Sequence, residues 1–384
     1  MFETGVTRTQ VRAVALTSVA ALLGAVWIAR PSPFFFPQQQ HERHCRCFPG
    51  DHCWPSLDEW ADFNKTVGGK LISTVPVASP CHDDFPGVGY DSDKCAQIRA
   101  NWEIPELHME TAHSPMSAFF ANLSCDPFTP RDAHCIVGAY VPYAVNASDA
   151  SDYRKTIAFA KEHNIRLVIR NTGHDYMGKS TGAGALAIWT HHIKERSIID
   201  YVSAGYTGKA MKLGAGVSSS EAIDTAKAEG LVVVAGDLPS VGIAGGYTQG
   251  GGTSPLGTKF GLAADQVLEW EVVTGNGELL TATPTENQDL YWALSGGGGG
   301  TYGVVLSMTA VLDAGATLYV WYLPGNKFVM PQSYLLGGTS QDLQLLLQPT
   351  LKALEENKIS YSQYIRNHVF ASPSVISLIS SVGM

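Results

Sequence analysis

Residues 168–189 read VIRNTGHDYMGKSTGAGALAIW: a short apolar run passes into a polar, glycine-studded loop and out again, with one histidine, His174, at its centre. Upstream, SDASDYRKTIAFAKEHN (148–164) carries a capping residue, an acidic first turn and Tyr153, Ile157 and Ala160 at helical spacing, so it predicts a helix. IRLVIR (165–170) then reads as a short buried strand that delivers the chain into the His174 loop. Farther on, SSSEAIDTAKAEG (218–230) is a second capped helix ending at Gly230, and LVVVAG (231–236) a strand. VLEWEVVTGNGELLTAT (267–283) alternates around Gly275-Asn276-Gly277, a hairpin signal. TENQDLYWALSG (285–296) predicts a short helix and YGVVLSMTAVL (302–312) another strand. The pattern is α+β, without a fixed-period repeat.

Glycines gather in three stretches: 173–184, GDLPSVGIAGGYTQGGGTSPLGTKFG (236–261) and GGGGGTYG (296–303). They alternate with apolar and aromatic residues and are flanked by strands, which is unlike a flexible linker. Glycine lets a backbone approach closely and turn through positive φ, so that successive N–H groups can face an anion such as a pyrophosphate. Three such loops point to a large phosphate-bearing cofactor. Gly298, Gly300 and Gly303 match the dinucleotide fingerprint in spacing, but here the helix precedes and the strand follows, the reverse of a Rossmann site. GAGVSS from Gly214 lacks the third glycine, and no P-loop sequence occurs.

Four segments in order, IRNTGHDYMGKSTG, GDLPSVGIAGGYTQGGG, GLAADQVLEWEVVTGNGELLTAT and DLYWALSGGGGGTYGVV, closely resemble the flavin domain of the vanillyl-alcohol oxidase/p-cresol methylhydroxylase (PCMH) superfamily. The similarity is strongest to secreted berberine-bridge-enzyme-like oxidases of fungi and covers roughly residues 131–313; CFPGDHCWPS near the start looks like their leader region. The resemblance implies a PCMH-type FAD-binding domain of two α/β subdomains. It implies that the loop Arg170, Asn171, Thr172, Gly173, His174, Asp175, Gly178, Ser180 wraps the FAD pyrophosphate and that His174 bonds covalently to the flavin 8α-methyl. A neutral imidazole nitrogen is nucleophilic enough for that bond. Asp175 and Tyr176 are expected to shape the loop. Backbone at Val241, Gly242, Gly246, Gly250, Gly251, Gly303 and Val304 is expected near the cofactor, while Asp265 either binds or holds its own turn. Leu238 stands where doubly linked relatives carry a second flavin-bonding cysteine, so attachment through one histidine is expected; Thr253 replaces a histidine common in relatives. His191 and His192 read as packing or surface residues, with no metal site expected.

The implied chemistry is hydride transfer from an alcohol, sugar or secondary metabolite to flavin, with O2 reoxidation to H2O2. No catalytic base is assigned; Tyr361 and Tyr364 are candidate phenols. The family's substrate domain follows the flavin domain, and LQLLLQPTLKALEENK (343–358) looks like one helix of it. Segment 314–384 is therefore expected to be a partial substrate domain. An apparently truncated, catalytically inactive flavin-binding remnant is the alternative to an active oxidase.

The rest of the sequence frames this reading. At 384 residues, 45% hydrophobic and 16% charged, the chain can bury a sizeable core, and a net charge of −9 without a basic run argues against nucleic acid as partner. Arg8 and Arg12 precede an apolar stretch over 13–29, so residues 1–30 read as a secretory signal, or alternatively an uncleaved signal anchor; no other membrane segment is expected. All seven cysteines lie in the segment 31–130 and just beyond it, together with the N-glycosylation sequons at Asn64, Asn122 and Asn146, a combination suited to secretion. Proximity suggests the pairs Cys47–Cys53, Cys81–Cys95 and Cys125–Cys135, with Cys45 left over; a zinc site at HERHCRC with Cys53 is the competing reading.

Overall fold

The computed structural model describes residues 45–314, the backbone strands 317–322, 333–335 and 362–366, and residues 348, 352 and 356. The signal segment 1–30 lies outside the described residues, as do Tyr361 and most of the helix expected over 343–358, although Gln348, Lys352 and Glu356 are helical. Tyr364 lies within the backbone strand 362–366. Among the described residues no helix is long and apolar enough to cross a membrane.

Two sheets organise the chain. The first has the order β1-β2-β4-β3, built from β1 (Leu71–Ser73), β2 (Tyr143–Asn146), β3 (Arg166–Arg170) and β4 (Ala185–Trp189). β2, β4 and β3 run parallel, and β1 closes the edge antiparallel to β2. The helix Ala150–Glu162 is the crossover from β2 to β3. Asp149 caps it, its carboxylate accepting from the Asp152 amide at 3.0 Å. Every residue of β4 is buried, as expected of a central strand with both faces covered.

The second sheet is antiparallel, in the order β5-β6-β10-β8-β9: β5 (Arg196–Val202), β6 (Thr207–Gly214), β8 (Val267–Val273), β9 (Leu279–Ala282) and β10 (Val304–Val311). Its apolar face packs around the fully buried Trp270, with Met211, Leu213, Met308 and the helices Ser219–Ala228 and Gln288–Leu294. The sheets meet through one apolar cluster that joins Tyr153, Ile157 and Ile188 to Val273 and Val304. The expected strand over 231–236 shortens to β7 (Leu231–Val232), paired with β11 (Asp313–Ala314). β11 offers only two residues to pair with, and Val233 and Ala235 turn into the core instead.

The N-terminal third is held by Cys47–Cys53, Cys81–Cys95 and Cys125–Cys135, the pairs suggested by proximity; Cys45 takes part in none of them. The Cys47–Cys53 bridge removes two thiolates from the competing zinc reading. Beyond β11, β12 (Thr317–Tyr322) pairs antiparallel with β13 (Ser333–Leu335) and β14 (Ser362–Arg366).

Candidate cofactor site

β3 ends at Arg170 and β10 begins at Val304, and between these strand ends the three glycine loops converge on a cavity of about 540 Å³. That volume falls within the ordinary range for small-molecule and cofactor sites, about 300–1,000 Å³. Asn171, Thr172, Gly173, His174, Asp175 and Ser180 line it from the first loop, Val241, Gly242, Gly246 and Gly250 from the second, and Gly303 from the third.

Local hydrogen bonds explain why these loops hold their shape. The Asp175 carboxylate accepts from the amides of Met177 (2.8 Å), Lys179 and Ser180 (3.1 Å), closing a tight turn just after His174. Gly173, at φ +88°, makes the preceding turn in a conformation that a side chain would strain. Lys179 Nζ donates to the Gly299 carbonyl at 2.8 Å and Thr301 Oγ1 at 3.0 Å, tying the first loop to the third. Gln249 ties the second loop to the third: its backbone carbonyl accepts from the amides of Gly296 (3.1 Å) and Gly298 (2.8 Å), and its side-chain oxygen from Gly300 (3.3 Å). The second and third loops also touch backbone to backbone, since a Cβ at Gly299 would stand 2.7 Å from Gly246 Cα.

His174 sits in this wall with its Nε2 2.8 Å from Oγ of the buried Ser240. Burial lowers its pKa; Glu106 pulls the other way, and the Arg170 charge adds to the lowering, so the imidazole is neutral at neutral pH. Asn171 donates through Nδ2 to the Ala215 carbonyl, while its Oδ1 is buried without a partner. A donor-rich ligand in the cavity would satisfy that acceptor.

Four residues expected at the cofactor do not line the cavity. Arg170 is fully buried behind the loop, where its guanidinium donates to the carbonyls of Thr111 (2.9 Å), His108 (2.8 Å) and Ser114 (2.7 Å). It fastens an upstream segment beneath Gly173 rather than facing a ligand, and burial lowers its pKa to about 9. Gly178 packs against the Phe120 ring, Gly251 is held in a turn by Thr248 and Ala264, and Val304 belongs to the apolar cluster between the sheets. Asp265 holds its own turn by accepting from the Leu262 amide at 2.8 Å.

Sequence reading missed several lining residues, among them Met177, Lys179, Tyr247 and Gln249; Tyr176, expected to shape the loop, also lines the cavity, as does the half-exposed Leu238. The clustering of charged and aromatic side chains inside the glycine stretches was the available signal. Tyr247 donates to the Thr253 carbonyl at 2.8 Å, and burial raises its pKa.

The neutral imidazole at the wall, the orphaned Asn171 oxygen and the glycine-lined cavity together fit FAD. Comparison with known proteins agrees. The family described as "FAD binding domain" matches residues 141–283. FAD-linked oxidoreductase sor8 of Hypocrea jecorina is 57% identical over 70% of this chain and 46% of its own length. FAD-linked oxidoreductase sthB of Phaeosphaeria nodorum is 43% identical over 64% of this chain and 90% of its own. Among solved structures, the VAO-type flavoprotein MtVAO615 of Myceliophthora thermophila superposes with a TM-score of 0.79 at 41% identity, covering 88% of this chain and 70% of that one. The chain spans about half the length of the curated relatives it first matches. This protein belongs to the VAO-type family of FAD-linked oxidoreductases, with a PCMH-type FAD-binding fold.

Proposed function

We propose that this protein is a secreted oxidase whose FAD is attached covalently through His174 and which oxidises an alcohol, a sugar or a secondary metabolite. The carrying observation is the placement of His174, neutral, in the cavity wall with Nε2 engaged by Ser240 at 2.8 Å. With Nε2 engaged, Nδ1 is the nitrogen left for the flavin bond. Leu238, in place of a cysteine, limits attachment to this one residue. FAD held there would supply two-electron redox chemistry: a substrate carbon would lose a hydride and its oxygen a proton to a base, and O2 would take up the two electrons and two protons to give H2O2.

The chain's own part is to hold and exclude. The loop backbones would hold the cofactor's phosphates, Asn171 Oδ1, buried without a partner, would accept from the bound group, and the Lys179 and Gln249 ties keep the three loops in register. Tyr176 and Met177, both exposed at the mouth, give substrate an apolar and aromatic entry. Three disulfides support secretion, and the sequons at exposed Asn122 and partly exposed Asn64 and Asn146 are available to N-glycans.

The test is flavin fluorescence on a denaturing acid gel. Wild type should keep a fluorescent band that His174→Ala loses. Flavin released from the denatured wild type would refute the covalent bond, and a folded protein that takes up no FAD would refute the cofactor site. Peroxide formation against a panel of alcohols and sugars then tests turnover.

A further inference from the structure

We propose that Glu110, His191 and His192 form a binding site for one zinc-class divalent ion, outside the flavin cavity. One ligand atom from each of the three residues lies within 4.8 Å of the others. None of the three lines the cavity, although Thr190, immediately before His191, does.

The two imidazoles are held in place before any ion arrives. Trp189, the last residue of β4, stacks on the His191 ring (5.9 Å between centroids, 13° between planes) and meets the His192 ring edge-on at 4.5 Å. His192 Nδ1 lies 2.8 Å from the Asn146 side-chain oxygen. A carbonyl oxygen only accepts, so Nδ1 carries the proton and Nε2 keeps its lone pair for a ligand. This is the outer-shell arrangement that orients metal-bound histidines.

His191 is the second observation. Its side chain is 4% exposed, yet neither ring nitrogen makes a hydrogen bond: Nδ1 is buried without a partner, and Nε2 stands 3.7 Å from Glu110 Oε1. That gap is too long for a hydrogen bond. It is close to the edge of a zinc tetrahedron, where bonds of about 2.0–2.2 Å place ligand atoms roughly 3.3–3.6 Å apart. Lys194 does not compete for Glu110, because its Nζ is engaged by the Gly216 carbonyl at 2.7 Å and Glu221 at 2.9 Å. The exposed Glu110 has the freedom to close the remaining distance, and water completes four-coordination. Two imidazoles and one carboxylate favour zinc and its neighbours over magnesium or calcium. The bound ion would clamp the end of the helix Pro105–Met109 to the end of β4.

The experiment uses untagged, chelator-stripped protein exposed to ZnCl2, desalted and assayed by elemental analysis, with CoCl2 in parallel as a spectroscopic probe of tetrahedral geometry. One zinc per chain and a tetrahedral cobalt spectrum are expected. Glu110→Gln and His192→Ala, both at exposed positions, should each weaken binding by more than the roughly 10–100-fold expected for Asn146→Ala, which removes only the outer-shell partner. Asn146→Asp keeps the acceptor while deleting the glycan sequon, and should retain zinc. Wild type that emerges from desalting without zinc, or zinc retained at full stoichiometry and affinity by the Glu110→Gln/His192→Ala double variant, overturns the assignment.

Discussion

Gly246 separates the stability of the fold from occupancy of the cavity. It lines the cavity, its φ lies outside the left-handed region, and a Cβ built on it meets no protein atom within 4 Å. Gly246→Ala therefore places a methyl group in open space without backbone strain. By restricting the unfolded chain, it should leave the apoprotein as stable as wild type or more stable by about 0.4–1 kcal/mol. In the ligand-bound state the same methyl enters the space that the cofactor would fill, an overpacking of about 1–3 kcal/mol, or roughly 5- to 160-fold in affinity. The assay is equilibrium FAD binding in a His174→Ala background, so that retention reports affinity and not attachment, alongside urea denaturation of the apoprotein. Gly242→Ala is the contrast: its Cβ would stand 2.4 Å from Asn171 Nδ2, so it should destabilise the apoprotein itself by about 1–3 kcal/mol. Undiminished FAD affinity in the Gly246 variant would refute the location of the cofactor.

Two further outcomes follow from ionisation. Because burial lowers the His174 pKa, flavin attachment should persist as pH falls through about 6.5, the value for a free imidazole, and Ser240→Ala should slow attachment while Ser240→Thr restores it; a rate that titrates near 6.5 in wild type argues against a buried nucleophile. Asp152 gives the opposite pH dependence: burial alone would raise its pKa, but Lys70 at 2.7 Å and the Ser148 amide at 2.9 Å outweigh it and lower the value. A depressed carboxylate stabilises the fold above its unfolded pKa of about 3.9 and loses that contribution as pH falls through the folded value, so Lys70→Met should cost about 1–2 kcal/mol at pH 7 and less near pH 3, read by denaturant melts.

Much of the fold was legible because its signals are local. The helix over 148–164, the capped helix at 218–230 and the Gly275-Asn276-Gly277 hairpin depend on caps, periodicity and turn residues within one segment, and each forms close to the limits read from sequence. His174 was singled out through the family resemblance of its loop, and the folded chain puts it in the cavity wall. Arg170 was not legible: a loop arginine reads as an anion ligand, and only the folded chain shows that its Nε and Nη2 are given to carbonyls 56 or more residues upstream. Lys179 and Gln249 escaped notice for the same reason, since their partners are 120 and 51 residues distant in the sequence. The pairing of Glu110 with His191 and His192 likewise joins separate segments and leaves no motif in either.

The position of β10 within the second sheet sets an order of assembly. It is central in space, between β6 and β8, yet it is the last of the five strands to be synthesised. Until residue 311 leaves the ribosome, β5-β6 and β8-β9 are two separate hairpins with exposed inner edges, and the third glycine loop has no strand to anchor it. Nascent chains must therefore pass through a stage in which unpaired strand edges need protection, and the cofactor can be captured only after the whole domain has been translated.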